Sequence, residues 1–116
     1  MVEDFSKKRC KPCEGGVAPV LEAQAKDYLK LLKGWQLASE AKSIAKDYLM
    51  KDFMSAILFM NRIADVAETE DHHPDFHLTG YRKLRIELST HAIGGLSEND
   101  FILASKIDLL PKALKQ

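Results

Sequence analysis

Net charge is the first thing this sequence lacks. Its 17 Lys and Arg balance 17 Asp and Glu, and the pI is about 6.9. Without a net positive field to hold a phosphate backbone or an anionic lipid surface, direct nucleic-acid binding is not expected, and neither is membrane adsorption. Long apolar runs are missing too. The longest, Ala56-Ile57-Leu58-Phe59-Met60, falls far short of the roughly 20 residues that span a bilayer as a helix. The charged start, Glu3-Asp4 through Lys7-Lys8-Arg9, has no apolar stretch behind it of the kind a secretory signal carries, so the expected compartment is the cytoplasm. Cysteine is scarce, with two residues in Cys10-Lys11-Pro12-Cys13. A redox pair would follow a buried strand and open a helix, whereas this one follows a charged tail and precedes Glu14-Gly15-Gly16. A zinc site would need two more ligands. Neither a metal nor a redox role is expected of the motif. No repeat, low-complexity tract or interdomain linker is present.

At 116 residues the chain can build one core and is too short for two ordinary ones. Residues 1–16 lack periodicity and read as an arm or a strap, leaving 17–116 as a single domain. From Pro19, apolar positions Val20, Leu21, Ala25, Tyr28, Leu29 and Leu32 recur at helical spacing and predict a first helix ending at Gly34. Trp35-Gln36-Leu37 and Ser43 to Met50, joined by polar Ser39 to Lys42, predict a hairpin, with Trp35 read as core. Asp52 is placed to cap a helix running to about Thr69, and its apolar residues cover more than one stripe. That breadth fits a helix buried on two sides, against the sheet and against another subunit of a homodimer or homotetramer. The alternative is the central helix of a monomer. Phe76 to Thr79 and Lys83 to His91 predict two more strands. The second alternates cleanly, with Leu84, Ile86, Leu88 and Thr90 on one face and Lys83, Arg85, Glu87, Ser89 and His91 on the other. Ser97 caps a last helix with Asp100 in its first turn. The order α-β-β-α-β-β-α is an α+β fold, a four-stranded antiparallel sheet covered by helices on one face.

All four histidines fall between Glu68 and Asp100: two in Glu68-Thr69-Glu70-Asp71-His72-His73-Pro74-Asp75-Phe76, His77 just after it, and one in Ser89-Thr90-His91. Imidazoles titrate near neutral pH, so a cluster of them beside carboxylates suits proton transfer or metal binding better than packing. Pro74 pushes His73 out of the α region, so the preceding helix ends near Asp71 and the pair sits at a helix-to-strand corner. His77, alone in a strand, reads as a solvated surface group. A zinc site built from His72, His73 and His91 competes for the same geometry, but adjacent histidines seldom turn onto one ion.

Taken in order, Glu68, His72, His73, Pro74, Tyr81, His91 and Asp100 resemble the signature of the pterin-4a-carbinolamine dehydratases, with no element missing. The likeness extends over roughly Gly15 to Leu110. Phe76 departs from it, where relatives often carry Trp. The resemblance implies an enzyme without a cofactor or metal that removes water from a 4a-hydroxytetrahydropterin to give quinonoid dihydropterin, in tetrahydrobiopterin recycling. It implies His72 and His91 as the proton-transfer groups and His73 as a pterin-positioning group. Glu68, Asp71 and Asp100 are implied as carboxylates that orient imidazoles. Ser89 and Thr90 would offer hydrogen bonds to the pterin edge. A second role implied by the family is a protein-interaction module, a dimerisation cofactor for a homeodomain activator.

Overall fold

The computed structural model describes residues 5–11 and 18–116. Cys13 and the glycines after it, on which the paired-cysteine reading rests, lie outside the described residues. The observed order is a 3-10 turn Phe5–Lys7, α1 Glu22–Leu29, β1 Gln36–Ala38, β2 Ser43–Leu49, α2 Phe53–Glu70, β3 Asp75–Thr79, β4 Lys83–Leu88, a 3-10 turn His91–Ile93 and α3 Glu98–Asp108. The strands form one antiparallel sheet in the order β1-β2-β4-β3. This is the α+β architecture that the apolar patterning predicts.

Alternation in β4 decides which way the sheet faces. Leu84, Ile86 and Leu88 are buried, and Lys83, Arg85 and Glu87 are not. With Ile44 and Tyr48 of β2 they meet Phe59 and Ile63 of α2 and Phe101, Leu103 and Ile107 of α3 in one core. Removing a side chain the size of Phe59 from water stabilises the fold by about 2–3 kcal/mol, so this shared face dominates what holds the layers together. The opposite face stays polar. There Arg85 pairs with Asp47 at 3.2 Å, and Ser43 donates to Glu87 at 2.7 Å.

Each long helix begins as its sequence predicts. The Asp52 carboxylate accepts from the Ser55 N–H at 2.8 Å, and Ser97 forms a capping box with Asp100. The first helix is shorter than its periodicity predicts. Leu21 provides no side-chain cap, and the chain after Leu29 tightens through a Leu32-to-Leu29 bond before Gly34 turns at φ 86. Trp35 is core, 3% exposed, with its indole N–H donating to Asp108 at 3.0 Å.

Residues Phe5–Lys11 pack on the helices. Phe5 is 1% exposed, its ring 5.0 Å from that of Tyr28 and 6.0 Å from that of Phe101. Beyond it, the Cys10 amide donates to Glu70 at 2.8 Å, while Arg9 and Lys106 pair with the same buried carboxylate at 3.0 and 3.4 Å. Burial pushes the Glu70 carboxyl up. The Cys10 amide, Lys106 and Arg9 together outweigh that and hold it below the ordinary value of 4.5. A carboxyl depressed in the folded state contributes stability that is present above the unfolded pKa and lost as pH falls through the folded one. Glu70→Gln is therefore expected to flatten the decline in stability between about pH 5 and pH 2. Urea titrations across that range check this, and an acid slope equal to wild type would contradict it.

Candidate active site

The site begins where α2 stops. Asp71 caps the helix in the left-handed region, at φ 54 and ψ 42, with its N–H bonded to Ala67 and Glu68 carbonyls. A left-handed residue that is not glycine costs on the order of 1–3 kcal/mol, and Asp is among the few that tolerate it. The turn is what reverses the chain into Pro74 and β3. It sends the two histidines in different directions. His72 turns inward and is 5% exposed, whereas the His73 side chain is 56% exposed.

Each ring finds its own carboxylate. His72 Nε2 lies 2.6 Å from Asp100 Oδ1, both groups buried. His73 Nε2 pairs with Glu68, one turn back on α2, at the surface. An ionised carboxylate can only accept, so these contacts set Nε2–H as the donor in each ring. Asp100 is itself held from behind. Its Oδ2 accepts the Thr90 hydroxyl at 2.9 Å and the Ser97 N–H at 3.0 Å, and Thr90 and Ser97 share a further bond at 2.7 Å. Among the described residues no buried side-chain nitrogen or oxygen lacks a partner.

His91 lies in the 3-10 turn rather than in the strand that alternation predicts. The chain leaves the sheet after Leu88, because the Thr90 N–H turns to the Gly95 carbonyl at 2.7 Å and Gly94 closes the loop at φ 64. The displacement brings His91 to the rim of a cleft of about 240 Å³ lined by Asp71, His72, His73, Pro74, Asp75, Ser89, His91 and Ala92. Of the residues singled out from sequence, His72, His73, His91, Asp71 and Ser89 thus share one cavity. Thr90 is fully buried and engaged with Asp100, so it does not line the cleft. Glu68 and Asp100 reach the cleft through the histidines they hold. Asp71 lines it without being paired to an imidazole among the described residues. Asp75 was not among the sequence-derived candidates, although its place after Pro74 at the start of β3 was a signal. His77 sits on the open sheet face, 4.0 Å from Glu87. No group of three or more His, Cys, Asp or Glu among the described residues is arranged to hold a metal ion. Burial pushes the Cys10 thiol up, with the Glu70 carboxylate adding to it, to about 12, the opposite of what a redox nucleophile requires.

Residues 18–110 match the profile described as pterin 4 alpha carbinolamine dehydratase. The chain belongs to this family. A protein of Nitrosomonas europaea, provisionally named a pterin-4-alpha-carbinolamine dehydratase, is 49% identical over 111 residues, covering 95% of this chain and 96% of that one. The mitochondrial pterin-4-alpha-carbinolamine dehydratase 2 of Arabidopsis thaliana is 44% identical over 110 residues, 92% of this chain and 59% of its own length. A solved structure from Brucella melitensis, titled transcriptional coactivator/pterin dehydratase, superposes with a TM-score of 0.73 at 32% identity, over 78% of this chain and 96% of that one. The matched span takes in both the His72-His73-Pro74 corner and His91. Among the described residues no helix is long and apolar enough to cross a membrane.

Proposed function

We propose that the chain is a dehydratase acting on a 4a-hydroxytetrahydropterin, with His72, His73 and His91 as its working groups and the division into an arm, 1–16, and one catalytic domain, 17–116. The observation that carries this reading is a single cleft lined by all three imidazoles, one of them backed by a buried carboxylate. In the reaction the C4a–O bond breaks as the hydroxyl is protonated, the neighbouring nitrogen gives up its proton, and the C=N bond forms. Water leaves, with no change in oxidation state. The chemistry asks only for an acid and a base with pKa values near the working pH.

His72 suits the base. With Nε2–H donated to Asp100, the neutral ring carries its lone pair on Nδ1, and the carboxylate stabilises the imidazolium formed when a proton arrives. His91, across the cleft, is assigned the proton donated to the departing hydroxyl. His73, steadied by Glu68, orients the pterin, and Ser89 and Asp75 offer hydrogen-bonding groups to its polar edge. The physiological setting assigned is tetrahydrobiopterin recycling in the cytoplasm.

Stopped-flow spectroscopy tests the reading directly. The 4a-hydroxytetrahydropterin is generated in the cell and its loss followed with and without protein. Acceleration over buffer is expected. A trace that matches buffer alone removes the proposal.

A second reading, a protein-interaction module acting as a coactivator, is favoured by one observation beyond the Brucella title. Phe53, Met54 and Leu58 of α2 are 49%, 61% and 48% exposed, an apolar stripe on the side of the helix away from the sheet. The same stripe supports a homodimer or homotetramer. Light scattering on the purified chain measures the assembly, and a monomer at micromolar concentration would count against both.

A further inference from the structure

Residues 8–11 lie across the two chain segments that carry the His72–Asp100 pair. On one side, Arg9 and the Cys10 amide grip Glu70, the last residue of α2 and two before His72. On the other side, the Lys11 N–H donates to Asn99 Oδ1 at 2.9 Å and Asn99 Nδ2 donates back to the Lys11 carbonyl at 2.8 Å. Asn99 directly precedes Asp100 and is 1% exposed. Lys8 pairs with Glu98 at 3.1 Å, and the Cys10 thiol meets the Asn99 carbonyl at 3.6 Å.

We propose that residues 8–11 form a positioning strap that sets the distance between His72 and Asp100, with Glu70 and Asn99 as its two anchor residues. Three observations carry it. Both anchors are buried and both are polar, an arrangement that persists only when each is fully partnered, and the strap supplies partners to each. The anchors lie beside the two members of the pair, on separate helices, so a shift of one helix end against the other acts on the pair at once. The direct ion pair between the helices at Glu70, from Lys106, is roughly 10 Å further along α3, so among the described residues the strap is what bridges Glu70 to Asn99 at the end nearer the pair. The distance matters because an His72–Asp100 separation of 2.6 Å is a charge-assisted hydrogen bond, whereas about 1 Å more is none. Cys10 also covers Glu70 and adjoins Asp100, and its thiol, raised by burial first and then by those carboxylates, is consistent with water being kept from that side.

The strap's effect on rate rests on the dehydratase reading; its effect on the pair does not. The experiment therefore uses both. Glu70→Gln and Asn99→Ala are made in the full chain. The proton of the His72–Asp100 bond is followed by NMR as a downfield ring N–H signal, and kcat and KM are measured by stopped flow. If the strap positions the pair, the signal moves upfield or broadens in both variants. In parallel kcat falls about tenfold while KM stays within about twofold, since a misplaced base harms the transition state more than binding. Folded variants that keep the wild-type signal and kcat would overturn the strap. A wild type with no dehydratase activity would sink the reaction reading alone, and the ring signal would still decide the strap. Should Asn99→Ala not fold, Glu70→Gln, which keeps the shape of the side chain and an acceptor for Cys10, carries the comparison.

Discussion

Replacing His72 with alanine is expected to lower kcat by about 10²–10⁴-fold, the range a positioned general base contributes. The loss should fall mainly on kcat, because in the proposed reaction this largely buried ring of the cleft wall takes a proton rather than binding the pterin. His91→Ala should lose a comparable factor, and the double variant should approach the buffer rate. His73→Ala, which removes a surface ring paired with an exposed Glu68, is expected to raise KM more than it lowers kcat. Stopped-flow traces over a range of substrate concentrations separate these outcomes. Full activity in the His72→Ala/His91→Ala variant would show that proton transfer runs through other groups.

The largest expected loss of stability belongs to Asp100→Ala. One carboxylate accepts from His72, from the Thr90 hydroxyl and from the Ser97 N–H that begins α3, and it is 0% exposed. Its removal strands three buried donors in a medium without water to replace it. Breaking a buried network of this kind by removing one member costs about 3–5 kcal/mol. For a chain of this length that lowers Tm by roughly 12–20 °C. Glu68→Ala breaks an imidazole–carboxylate pair of the same type at the surface and should leave Tm nearly unchanged. Calorimetry on both variants makes the test, and equal effects would mean that burial is not what distinguishes the two pairs.

Much of this arrangement was legible in the sequence because local chemistry and tertiary structure agree there. Alternation in Lys83 to Leu88 gave the buried face of β4, Asp52 and Ser97 announced the two long helices, and Pro74 marked the end of α2 near Asp71. What stayed hidden depends on partners distant along the chain. Alternation runs on through Thr90 and His91, yet the strand stops at Leu88, because a two-bond backbone bridge between Thr90 and Gly95 outcompetes further pairing with β2. The Thr90 hydroxyl, expected at the ligand, is bound to Asp100 and Ser97, a choice that only the approach of α3 determines. Phe5 sits in an aperiodic stretch, and nothing local announces that Tyr28 and Phe101 leave a gap its ring fills. The value of Asp75 was open to reading from its position beside the His-His-Pro run, but a strand-edge carboxylate carries no signal of which way it faces.

The left-handed turn at Asp71 has a consequence for how the site meets its surroundings. Two imidazoles that are neighbours on the chain live in different media, one inside the protein dielectric and one in the electrolyte. Mobile ions within a Debye length, about 8 Å in physiological salt, quench the outer pair and scarcely touch the inner one. The turn has thereby divided the site into a salt-responsive half and an insulated half, to which the proposed reaction assigns the ligand's edge and its proton.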